Sequence, residues 1–148
     1  MCNLSDYADM ATIAASVLGV GALIFGGVQL MHSAKVAEGQ FLLELEKMVT
    51  SHDDVHLKLR PGGAWTEGQS PATAEEWAKL EDYMGFFEHC ELLIQDGSLS
   101  EKRFANIFDY RLRNILANKA ICAAKLMSNE RPSWELFIAL CKRFGLQC

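Results

Sequence analysis

His52, Asp53 and His56 are the residues whose types and spacing come closest to chemistry. Two histidines at i and i+4 share a helix face, and an adjacent aspartate adds a third ligand of the kind that holds zinc or another transition metal. That reading gives a small metal-dependent sensor or hydrolase. The metalloprotease arrangement, however, needs a glutamate directly after the first histidine as general base, and here Asp53 stands in that place, one carbon shorter. Histidine and aspartate are equally at home at helix ends and turns. The following Arg60-Pro61-Gly62-Gly63 fits a type II turn, with proline second and a positive-φ glycine third. We therefore expect residues 52–72 to be an ordered strap rather than a metal site. Trp65 should turn back onto the helices, and the two histidines should only mark the end of a preceding helix.

Other constellations are thinner. Glu81, Glu88 and Glu91 bring carboxylates to one segment, but no E-x-x-H follows them, so the di-iron bundle pattern is missing. His89 and Cys90 are adjacent and point apart on a helix, which disfavours a Cys–His nucleophile. There is no serine elbow and no phosphate-cradling loop. No catalytic residue and no cofactor is expected. Arg111, Asn114 and Asn118 follow helical spacing on one face, and Asp109 and Arg113 form an i, i+4 pair. The stripe reads either as a partner face or as an internal polar network reaching Glu88 across a bundle, and the network is the favoured reading.

The elements that would position these groups follow from composition and periodicity. The chain has 148 residues, half of them hydrophobic, enough for one modest core with apolar content left over. Its net charge of −5 argues against a general nucleic-acid binder. Five cysteines without C-x-x-C spacing suggest neither a disulfide framework nor a zinc site. Read as scattered free thiols, they point to a reducing, cytoplasmic setting for most of the chain.

Residues 10–31, MATIAASVLGVGALIFGGVQLM, carry no charge. At a rise of about 1.5 Å per residue such a stretch spans a hydrocarbon core of roughly 30 Å. Asp6 and Asp9 precede it where a signal peptide would be basic, so the expectation is a retained single-pass anchor. Lys35 and Lys47 lie beyond it, which places residues 1–9 outside and residues 32–148 in the cytoplasm of an inner membrane. Ala15, Gly19, Gly26 and Gly27 offer small positions where another membrane helix could approach.

Beyond the anchor every segment reads as helix. A first helix runs to about Thr50 with Phe41, Leu42, Leu45, Met48 and Val49 on one stripe. Thr73 with Glu76 forms a capping box for a second helix, closed by Asp96-Gly97. Ser98 with Glu101 suggests a second capping box after a two-residue link, opening a third helix that continues toward Met127 with a kink near Asn118. Pro132 and Gly145 bracket a fourth. Gly85, in the middle of the second helix, should mark a close crossing by another helix. The stretch YMGFFEHCELLIQDGSLSEKRFANIFDYRLRNILANK, within residues 77–144, resembles the cytoplasmic part of small uncharacterised bacterial membrane-anchored proteins. That resemblance implies the architecture and brings no activity with it.

The expected fold is all-α, one transmembrane helix continuing into a cytoplasmic antiparallel bundle. The expected function is a non-catalytic module, held in the lipid bilayer by one helix, that binds other proteins or self-associates. The alternatives are the metal-dependent sensor or hydrolase, and an effector that perturbs the membrane after assembling through its glycine face.

Overall fold

The computed structural model describes residues 29, 33, 36–37, 39–66, 68–128 and 131–148. The expected anchor at 10–31 and its small-residue face lie outside these, apart from Gln29. Among the described residues no helix is long and apolar enough to cross a membrane, and no strand occurs. The chain divides after Glu46, and the second compact unit is Lys47–Cys148.

The helical residues 39–50 (α1) lead into this second unit. Then come α2 (Asp53–Leu59), α3 (Ala74–Gln95), α4 (Glu101–Leu116) and the single turn α5 (Lys119–Ile121). A π-helical turn (Cys122–Leu126) and a 3-10 turn (Arg131–Trp134) precede α6 (Glu135–Arg143). The central element is α3, which packs most extensively on α6 and also meets α2 and α4. Its wide apolar face explains this, since Leu80, Tyr83, Met84, Phe87 and Cys90 are all sealed from solvent. Edge-to-face rings knit the core, the geometry aromatic quadrupoles prefer. Phe86 meets Phe108 at 5.5 Å, and Phe87 meets Phe104 at 6.3 Å and Phe137 at 6.2 Å. Advancing along α3 while retreating along α4, the first two pairs make these helices antiparallel neighbours.

Local signals account for most boundaries. The Thr73 hydroxyl accepts from the Glu76 amide at 3.2 Å, while the Glu76 carboxylate reaches back to the Ala72 amide at 2.8 Å. This is a capping box shifted by one residue. Gly97, at φ +81°, closes α3 as expected. The start of α4 corrects the expectation: its cap is Ser100, which accepts from the Arg103 amide at 3.3 Å. Ser98 instead donates its amide to the Asp96 carboxylate at 2.8 Å. Asp96 competes for that turn, so residues 96–100 form a longer link than the two residues expected.

Two further corrections matter for function. The strap at 52–72 is not irregular throughout, because α2 occupies its first third. Asp53 and Asp54 sit in the first turn, where carboxylates favour the helix dipole, and Val55 and Leu59 bury one face. His56 therefore belongs to this separate helix, while His52 stands at the junction, its amide donating to the Val49 carbonyl at 3.1 Å at the end of α1 and its backbone capping α2. The thiols also differ from expectation, since Cys122 and Cys148 are joined as a disulfide. Spacing could not reveal that pairing, because the fold alone brings the π turn beside the residues after α6. Cys90 and Cys141 are free and buried.

Candidate functional site

The structure sends His52, Asp53 and His56 to three different partners. The Asp53 carboxylate takes Arg111 Nη2 at 2.9 Å. The His52 ring lies 5.6 Å from that of Tyr83, and the His56 ring meets Tyr110 edge-on at 5.4 Å. Among the described residues no group of three His, Cys, Asp or Glu side chains converges as a metal site. The cluster is instead the seam that docks α2 on α3 and α4. Burial, and next the Arg111 guanidinium, lower the His56 pKa, with Asp53 pulling the other way. Burial likewise raises the Tyr83 hydroxyl to about 12, against the pull of Arg111. Among the described residues His56 Nδ1 is buried without a hydrogen-bond partner, and Tyr83 Oη and Arg111 Nη1 complete none of good geometry, although Arg111 stands close enough to Tyr83 to draw its hydroxyl's pKa down. Groups in that condition cost free energy, so this seam is held by packing and by the Asp53–Arg111 pair.

The polar stripe does not reach Glu88. Arg111 turns to Asp53 instead. Asn118 is buried and fully used: it caps α5 by accepting from the Ile121 amide at 3.0 Å. Its Nδ2 donates to the carbonyls of Trp65 at 2.6 Å and Gln69 at 2.7 Å. Asn114 lines the small cavity between these groups and Leu59, Pro61, Trp65 and Thr66. Glu88, by contrast, accepts the Phe137 amide at 3.2 Å near the start of α6. The stripe is thus an internal network, but its targets are the strap and α2. The Asp109–Arg113 pair forms as expected, at 2.6 Å.

The strap is built as the sequence suggests. Gly62 takes φ +80°, and the Gly63 amide donates to the Arg60 carbonyl at 2.8 Å. Gly63 lies so close to α2 that a Cβ there would stand 2.4 Å from the Leu57 and Lys58 carbonyl oxygens. The turn then buries Trp65, whose amide donates to the Lys58 carbonyl at 2.8 Å. The Lys58 ammonium lies 4.8 Å from the centre of the indole and pairs with Glu76 at 2.7 Å.

Gly85 overturns the expected close crossing. No atom of the described residues beyond its own helix and neighbours lies within 4 Å of where its Cβ would be. It lies instead in an open groove of about 510 Å³ whose lining includes Met48, His52, Glu81, Asp82, Phe86 and His89. The glycine itself was legible, but whether it faced a helix or solvent depended on which face of α3 the other helices covered.

The buried charges are structural. Glu91, 1% exposed at its side chain, is held by Arg143 at 2.7 Å, and Arg143 also binds Glu101. Burial alone would raise the Glu91 carboxyl, but hydrogen bonds from Arg143 and Gln95 outweigh it and hold the pKa below the usual range. Compared with known proteins, the chain matches no family model, no curated protein and no solved structure. The arrangement of residues is therefore what a functional reading rests on.

Proposed function

We propose that the chain is a membrane-anchored, non-catalytic helical module that receives a helix of a partner protein in the groove beside Gly85. The observation that supports this reading is Gly85 itself. A glycine inside a helix costs about 1 kcal/mol relative to alanine. Here it faces open space within a 22-residue helix, so nothing among the described residues offsets that cost. A partner backbone approaching closely would do so. Exposed Asp82 in the lining favours an apolar helix flanked by lysine or arginine, whereas Glu81 already pairs with Lys125 at 2.7 Å. The anchor part of the proposal rests on the uncharged run at 10–31.

A photocrosslinking residue at position 85 of the full chain, expressed in native membranes, tests the docking. The expected result is a specific adduct with another protein that is absent when the crosslinker is moved to exposed Glu135. An adduct only with a second copy would replace the partner with self-association, and no adduct would overturn the docking site. The anchor is tested separately by carbonate extraction of the full chain and of a version lacking residues 10–31. Release of the full chain into the soluble fraction would remove the membrane from the reading.

A further inference from the structure

The disulfide stands apart from that groove, and its surroundings differ from those of the other thiols. Cys122 is buried at the start of the π turn, whereas Cys148, after α6, is exposed. The Cys148 end of the bond borders a partly open, mainly apolar cavity of about 190 Å³ whose lining includes Leu116, Leu126, Ile138, Cys141 and Leu146. Leu146 is 9% exposed. Apart from the disulfide, its segment is held by the α6 ending, where Gly145 takes φ +66° and the Leu146 amide donates to the Cys141 carbonyl at 2.8 Å. Cys122 Sγ also lies 3.4 Å from the Leu116 carbonyl oxygen. A disulfide sulfur has no hydrogen to donate there, but a thiol does. The buried end of the bond thus already faces an acceptor suited to its reduced form.

We propose that the Cys122–Cys148 bond is a reducible clamp that holds Leu146 over the apolar cavity, and that a dithiol reductant releases residues 145–148 and uncovers it. A thiolate of the reductant attacks the exposed Cys148 sulfur, the S–S bond breaks, and Cys122 leaves with the electron pair and takes a proton. The second thiol of the reductant resolves the mixed disulfide and frees Cys148 as a thiol. The dithiol loses two electrons and two protons, and the two cysteines gain them. Cys90 and Cys141 stand aside from this exchange. Burial pushes both thiols up to about 12, so neither supplies a thiolate near neutral pH.

The test uses Cys141 as a reporter, because it lines the cavity while Cys90 lies on the buried face of α3. Full-length protein, either untreated or first reduced with a dithiol that is then removed without air, is treated with maleimide, and the modified cysteines are mapped by peptide mass. Without reductant, Cys122 and Cys148 should be found linked and Cys141 unreacted. With reductant, Cys141 should react about tenfold or more faster while Cys90 stays silent, as local opening requires. Cys148→Ser should show the fast Cys141 rate with no reductant and no further response to it. Equal acceleration of Cys90 and Cys141 would mean that the bond only stabilises the whole fold, and would overturn the clamp. An unchanged Cys141 rate in both the reduced parent and Cys148→Ser would overturn it too, as would a peptide map without the Cys122–Cys148 link.

Discussion

The side-chain amide of Asn118 grips the backbone carbonyl of Trp65 at 2.6 Å, tying the end of α4 to a strap more than fifty positions earlier. The same amide nitrogen holds Gln69, and the amide oxygen caps α5. One side chain therefore follows the end of one helix, starts another and anchors the long connection between α2 and α3.

Asn118→Asp separates these duties. A carboxylate still accepts from Ile121 but cannot donate to the two carbonyls, so it should destabilise by about 2–4 kcal/mol as buried acceptors lose their donor. Asn118→Ala should cost somewhat more through the lost cap, by about 0.5–2 kcal/mol. Urea unfolding of both variants checks this. Parental stability in the aspartate variant would show that the donor bonds contribute nothing.

The two turn glycines should differ in their tolerance. Gly62→Ala strains only a positive φ and should cost about 1–2 kcal/mol. Gly63→Ala drives a methyl into the Leu57 and Lys58 carbonyls, backbone that cannot step aside, and should cost more than the usual overpacking range of about 1–3 kcal/mol. Thermal melts that rank the two the other way would refute the close approach of the strap to α2.

Gly85→Ala should raise stability by about 0.5–1 kcal/mol, since the methyl meets nothing and the helix gains propensity. Loss of stability on this change would restore a helix crossing at that point.

Removing Arg143 isolates a buried carboxylate. Arg143→Ala should clearly lower the melting temperature near neutral pH, because it leaves the Glu91 charge buried without its counter-ion. The unpartnered Glu91 would then hold its proton more tightly than in the parent, so the deficit should shrink as pH falls toward the carboxylate range. A deficit independent of pH would mean that Arg143 acts by packing alone.

His56 has a native pKa lowered by burial and by Arg111, so the unfolded chain takes up the proton more readily. Its contribution to stability is whole above about pH 6.5, the unfolded value, and is lost as pH falls below it toward the lowered native value. His56→Phe, which keeps a ring against Tyr110, should flatten the stability slope on the acid side of neutrality. An unaltered slope would assign that pH dependence to other groups.

What the sequence determined by itself was local. Thr73 capped its helix, Gly97 and Gly145 ended theirs, Gly62 made its turn and Trp65 went inside, because each rests on the φ of one residue, on partners a few positions away, or on an aromatic surface too large to leave in water. Even locally, Ser98 lost to Ser100, where two hydroxyls and Asp96 competed within one turn. What only the tertiary structure decided was which distant groups meet. Arg111 chose Asp53 rather than Glu88, Asn118 chose the strap, Cys122 found Cys148, and no other described residue covered Gly85. Helical periodicity says which residues share a face, but not which element covers that face. The covering element depends on how α2, the π turn and α6 pack around α3, and that is decided by the joint burial of apolar surface from segments far apart in the chain.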